Sequence, residues 1–144
     1  MKDIEKIIVV KNLLRLGAYL QREGSRLLSG FGLNQQQFVV LKEIQEKEPI
    51  SQKEICSELL FEKSNVSKII KKLIIGKLVK ISYAAGDGRL CLLSTTKKGT
   101  LLIDQCMTVL NNWNKKWLKS LTGHELKEAV KILDRLNRIK KGKE

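Results

Sequence analysis

One pattern occurs three times in this chain and sets where helices begin. In Leu33-Asn34-Gln35-Gln36-Gln37-Phe38, an Asn at the N-cap is followed three residues later by Gln. Ile50-Ser51-Gln52-Lys53-Glu54-Ile55 repeats the pattern with Ser and Glu, and Leu121-Thr122-Gly123-His124-Glu125-Leu126 repeats it with Thr and Glu. A helix start leaves four backbone amides without partners inside the helix. The cap oxygen takes one of them, while the N3 side chain reaches back to the amide of the cap residue itself. The flanking apolar pair closes over the turn and fixes the direction from which the chain arrives. Helices are therefore predicted to start at Asn34, Ser51 and Thr122.

The segments between these starts have helical periodicity. Phe38, Leu41 and Ile44 form one stripe, and Val66, Ile69, Ile70 and Leu73 a second. Leu102, Cys106, Val109, Leu110, Trp113 and Trp117 form a third, and the last helix carries Leu126, Ala129, Val130, Leu133 and Leu136. A first helix from about Asp3 to Leu28 carries Ile4, Ile7, Ile8, Leu13, Leu14, Tyr19 and Leu20. The exception is Leu78 to Thr96. There Leu78–Tyr83 and Leu90–Ser94 read as two strands around the glycine-bearing loop Ala84–Arg89. Cys106 on its stripe and Cys91 in its strand read as small buried hydrophobes, which leaves Cys56, beside Ser57 and Glu58, as the most exposed thiol. Pro49 is the only proline and no flexible linker is present, so the chain reads as one mainly α domain. The expected fold is a three-helix block with a β-hairpin wing, flanked by long terminal helices. Those helices carry more apolar surface than a small core can cover, which points to a twofold homodimer.

Charge indicates the partner. The chain has a formal net charge of +13, a surplus that attracts polyanions. Ten Lys or Arg residues face four acids between Ile50 and Gly99, so the surplus is local as well as global. Two short helices, Ser51 to about Leu59 and about Ser64 to Lys77, have helix-turn-helix proportions. On the second, the apolar residues share one face and leave Asn65, Ser67, Lys68, Lys71 and Lys72 facing outwards. Asn pairs with an adenine edge, Ser with several bases or a phosphate, and lysines neutralise phosphate charge. Ser51, Gln52, Lys63 and Ser64, at the starts of the two helices, complete the candidate set there. On the wing, Arg89 beside Asp87 and the glycines suits insertion into a narrow minor groove, with Asp87 as its holder. The expected partner is double-stranded DNA.

These residues resemble the MarR family of winged helix-turn-helix transcription regulators. Leu33–Leu41 is similar to the segment opening the family's second helix, and Pro49–Ile55 to its third. Ser64-Asn65-Val66-Ser67-Lys68 is similar to the start of its recognition helix. Asp87-Gly88-Arg89 through Thr96-Lys97-Lys98-Gly99 is similar to its wing and the cap that follows, and no gap is needed between Leu13 and Leu136. The resemblance implies a helical dimerisation region over 1–32 and 100–144, and a DNA-binding region over 33–99. It also implies a regulator that represses by default, with a small-molecule effector of unnamed identity bound between DNA lobe and dimer platform. Four positions depart from the pattern. Gly88 stands for a first wing arginine and Ile81 for a basic strand residue, which leaves Arg89 as the minor-groove arginine. Lys77 takes the place of the usual glycine after the recognition helix, which predicts a shifted helix end. Glu62 replaces a Ser/Thr cap and caps poorly.

Other classes have little footing. With the single His124 the sequence offers no His/Cys/carboxylate cluster, phosphate loop or nucleophile elbow, so neither an enzyme nor a metal or cofactor site is expected. No apolar run approaches a membrane span, and the odd number of cysteines suggests reduced thiols in a cytoplasm. A cysteine-based redox regulator and a winged-helix module binding protein or RNA are the alternative readings.

Overall fold

The structure, a computed structural model, describes residues 2–143. Its helices are α1 (Lys2–Leu28), α2 (Gln35–Lys47), α3 (Gln52–Leu59), α4 (Lys63–Ile75), α5 (Lys97–Trp117) and α6 (Gly123–Lys143). Strands β1 (Val79–Ala84) and β2 (Asp87–Thr95) lie between α4 and α5, and a 3-10 turn (Ser29–Phe31) follows α1. All three capping exchanges form. Asn34 Oδ1 accepts from the Gln37 amide at 2.8 Å, and Gln37 Oε1 from the Asn34 amide at 2.9 Å. Ser51 and Glu54 exchange equivalent bonds at 3.2 Å, and Thr122 and Glu125 at 2.9 and 3.1 Å.

The stripes converge on one core. Leu41 and Ile44 of α2, Ile55 of α3, Val66 and Leu73 of α4, and Ile103 and Cys106 of α5 are buried against Leu28 at the end of α1. Burying each large aliphatic side chain stabilises the fold by about 1.5–3 kcal/mol, so the α2–α5 block is held mainly by apolar packing. No helix among the described residues is long and apolar enough to cross a membrane.

The hairpin is tighter than the sequence suggests. Ala84 pairs with Asp87 around Ala85-Gly86, so a two-residue turn replaces the expected six-residue loop. Gly86, at φ 80°, supplies the left-handed conformation that such a turn needs. The ladder then slips: Tyr83 pairs with Cys91, and Gly88, Arg89 and Leu90 bulge out between the two pairs. Ile50 extends the sheet by exchanging both backbone bonds with Leu93, at 3.1 and 2.8 Å. Leu93 is buried, but Ile81, Tyr83 and Cys91 further along the hairpin are exposed. The expectation of a buried Cys91 is therefore wrong, because the hairpin projects beyond the core it starts from.

The end of α4, the start of β1 and the start of α5 meet at one backbone junction. The Lys77 amide bonds to the Ile74 carbonyl, and the Leu78 amide to Leu73, both at 2.9 Å, closing α4. The Leu78 carbonyl then accepts from the Thr96 amide at 3.0 Å. Thr96 Oγ1 donates to the Lys77 carbonyl at 2.6 Å and accepts from the Gly99 amide at 3.0 Å. Lys98 Nζ reaches the Gly76 carbonyl at 3.1 Å. The helix ends at Ile75, two residues before the expected Lys77. Lys77 itself takes the left-handed position at φ 60°, one that favours glycine.

The terminal helices are far less enclosed. Ile4, Ile7, Ile8, Val10, Leu13 and Leu14 of α1 are 44–70% exposed, and Leu126, Val130, Leu133 and Leu136 of α6 are 37–58% exposed. Val9 and Leu13 share a shallow hollow of about 300 Å³ with Ala129, Ile132, Leu133 and Leu136, which sets α6 alongside the first half of α1. Tyr19 joins α1 to Trp113 and Trp117 of α5 through ring centroids 5.9–6.0 Å apart.

At the junction, a Cβ on Gly99 would run into the Leu78 carbonyl, a backbone atom held by its own hydrogen bond. Gly99→Ala is expected to lower stability by roughly 1–3 kcal/mol, as overpacking does. Gly30→Ala, which meets open space, serves as the control. Thermal melts check this, and an unchanged melting temperature for Gly99→Ala would count against the junction.

Candidate nucleic-acid interface

Helix α4 owes its orientation to its buried face. With Val66, Ile69, Ile70 and Leu73 turned into the core, the helical period carries Ser64, Lys68 and Lys71 to the opposite, exposed side. Lys63 and Lys72 flank that side and are also exposed, and Ser67 is half-buried at its edge. In the turn before α4, Leu60 adopts a left-handed conformation at φ 58° while its amide closes α3 on the Cys56 carbonyl at 2.9 Å. Gln52 Nε2 spans the two helices to the Lys63 carbonyl at 3.5 Å. Glu62 occupies the N-cap of α4 without a side-chain capping bond, as expected of a residue that caps poorly.

Two candidates sit differently from the sequence expectation, and a third falls outside the described side chains. Asn65 does not face freely outwards: it is half-buried, and its Nδ2 donates to Gln36 Oε1 of α2 at 2.9 Å. The position one residue before Val66 lies at the flank of the buried face, within reach of α2. Ser51 is only 8% exposed, and its hydroxyl both donates to Glu54 Oε1 at 3.0 Å and accepts from the Glu54 amide. Its side chain therefore serves the cap of α3, not an outward face. The backbone of Asp87 opens β2, but its side chain lies outside the described residues. Arg89 is exposed on the bulge of the hairpin. The sequence reading missed Gln36, which carries a partner for the candidate base reader. Its place in the first turn of a capped helix gave no signal, because the bond joins residues 29 apart.

Two acids behind the site share one ammonium. Glu58 of α3 pairs with Lys47 of α2 at 3.3 Å, and Glu43 pairs with the same ammonium at 3.4 Å. The hydrogen bond that Lys47 donates to Glu58 is the largest cause that raises the Lys47 pKa. The thiols are in part ordered opposite to expectation. Cys91 is the exposed one, and Cys56 is half-buried. Burial pushes the Cys56 thiol up, opposed in part by Lys63, and pushes Cys106 up to about 11. His124 is exposed in the first turn of α6, and no group of three His, Cys, Asp or Glu that could hold a metal ion gathers among the described residues.

Residues 31–90, from the turn before α2 to the bulge of the hairpin, match the model of the MarR family. Over that segment the chain is similar to the MarR family. That family is one of transcription regulators, not enzymes. The curated relative HTH-type transcriptional regulator BilQ of Clostridium symbiosum (strain WAL-14163) is 24% identical over 111 residues, 77% of this chain and 76% of its own. Among solved structures, a cysteine-to-serine mutant of MarR from E. coli complexed with operator DNA superposes with a TM-score of 0.77 at 21% identity, covering 91% of this chain and 95% of that one. CouR from Rhodococcus jostii RHA1, bound to p-coumaroyl-CoA, gives a TM-score of 0.81 at 17% identity, covering 90% and 91%. At these identities the structural likeness is one of fold. This chain carries the winged helix with a glutamate where a small hydroxyl would cap α4. Glu62→Ser is expected to stabilise the protein by about 1 kcal/mol, since Ser accepts from an unpaired first-turn amide. Chemical denaturation checks the gain, and an unchanged or lower midpoint would contradict the capping defect.

Proposed function

We propose that this chain is a transcription regulator of the MarR type that binds a pseudo-palindromic operator as a homodimer in the cytoplasm and represses by default. The observation that carries this reading is the outward row Ser64, Lys68, Lys71 on a helix whose other face is locked in the core. Such a helix fits the major groove, with its first residues at base edges and its later lysines on phosphates. Ser64, Ser67 and Lys68 are the proposed base-edge contacts. Asn65 joins them from the α2 side, with its amide held by Gln36. Lys63, Lys71, Lys72 and Gln52 contact phosphates, and Arg89 reaches the flanking minor groove. The apolar faces of α1 and α6 support the homodimer, since a helix apolar on more than one side needs more than one neighbour.

A hollow of about 280 Å³ supports the ligand-responsive part of the reading. Phe31, Leu33, Leu73 and Leu102 line it together with Lys72 and Lys98, between the α1–α2 turn, the end of α4 and the start of α5. A small molecule there would press on the junction that sets the direction of α4. Its differential affinity for the two arrangements would shift the spacing of the recognition helices.

Reading and holding separate in mutants. Asn65→Ala is expected to cost on the order of 1–3 kcal/mol on the preferred duplex and to flatten preference at one position per half-site. Gln36→Ala should flatten preference at that same position by less, because it loosens the reader without removing it. Lys71→Ala should weaken preferred and scrambled duplexes alike, and lower the salt slope by about one per subunit. Titrations on both duplexes over a salt series check this. Equal losses for all three mutants on both duplexes would overturn sequence-specific reading.

A further inference from the structure

Much of the positive charge lies far from α4. Residues 111–144 hold ten Lys or Arg against four acids, as lopsided as the winged-helix segment. On α6, Lys127, Lys131 and Arg135 follow one another four residues apart, and Arg138 comes three further on. That spacing keeps all four on one exposed face, away from Leu126, Ala129, Leu133 and Leu136. Lys131 pairs with Glu128 at 3.6 Å, while the other three pair with no acid among the described residues. Like charges one turn apart destabilise a helix, so this row opposes the helix that carries it. Lys115 and Lys119 of α5 border the hollow where α6 begins, beside Leu126.

These charges cannot serve the winged helix. Helix α5 leaves the junction at Lys97 and runs 21 residues, about 31 Å at ~1.5 Å per residue. Helix α6 lies along Val9 and Leu13 of α1, at the far end of that helix from the core residue Leu28. Screening at physiological salt acts over about 8 Å, so the two basic regions are electrostatically independent. We propose that the exposed row of α6 is a second DNA-backbone surface, so that one homodimer holds two duplexes, one at the winged helices and one at the platform. This rests on the DNA-binding homodimer proposed above. A duplex is the occupant rather than a lipid surface because the apolar face of α6 borders α1 and is taken up by the proposed homodimer. A helix lying in a membrane interface needs that face for lipid. The row itself is a regular line of cations one turn apart, which suits a phosphate backbone and reads no sequence.

The test uses the whole protein on beads carrying a duplex that it has selected from a random pool. A second, labelled duplex of unrelated sequence is then added. Wild type is expected to retain it at about 50 mM salt and to release it by about 200 mM. Lys127→Gln, Lys131→Gln, Arg135→Gln and Arg138→Gln combined should lower retention at least about tenfold, with affinity for the immobilised duplex unchanged. Gln keeps helix propensity, and sedimentation confirms the assembly. Lys127→Arg with Lys131→Arg should retain the second duplex as wild type does. The proposal is overturned if wild type retains no second duplex, if the Gln variant retains it undiminished, or if phosphatidylglycerol vesicles bind this face in its place. A protein that selects no duplex from the pool would instead sink the operator-binding reading, and this one with it.

Discussion

The structure depends on the junction at residues 76–78 and 96–99. Four consecutive demands are met there by backbone groups and one hydroxyl: the end of α4, the start of β1, the end of β2 and the start of α5. Each of these bonds contributes only about 0.5–1.5 kcal/mol net. Their effect is geometric. They tie the direction of α4 to that of the hairpin and of the long helix α5 without any intervening flexible segment. Gly99 is what permits the approach, because any larger residue would meet the Leu78 carbonyl. Lys98 adds a charge-assisted bond to the last carbonyls of α4, where a cation also complements the helix dipole.

From that joint the rest follows by packing. The core fixes the roll of α4, so its basic side faces out, and the joint fixes its tilt relative to α5. A regulator of this design would change its DNA affinity through small displacements at the joint, since two recognition helices on long levers convert a local shift into a change of spacing. The hollow lined by Lys72, Lys98 and Leu102 touches both sides of the joint. Operator binding and effector response are thus proposed to share one mechanical element, and packed elements of this kind are bistable more readily than continuously deformable.

Much of the fold was legible where the information is local. The three capping exchanges are written in adjacent residues, and each formed as the spacing dictates. The stripe of α4 was legible for the same reason, and with it the outward Ser64, Lys68 and Lys71. What could not be read depends on contacts between distant residues. Asn65 turns to Gln36 because α2 packs against α4, and Glu48 accepts from the Thr95 amide and hydroxyl, both at 2.8 Å, across 47 residues. Lys77 was a puzzle in sequence because a lysine seldom adopts a left-handed conformation, yet the hydrogen bonds around it impose one. Cys91 reads as buried from its apolar neighbours, but alternation along a strand says which residues share a face, not whether anything covers that face.

The central claim is that two copies of α4 read DNA together, with the spacing that the helical platform sets. Selection of bound duplexes from a random pool, followed by sequencing, tests it most directly. The account predicts an inverted repeat whose half-site centres lie about one helical turn, roughly 10–10.5 base pairs, or a multiple of it apart. A selected pool with a single unrepeated motif, or with none, would contradict it.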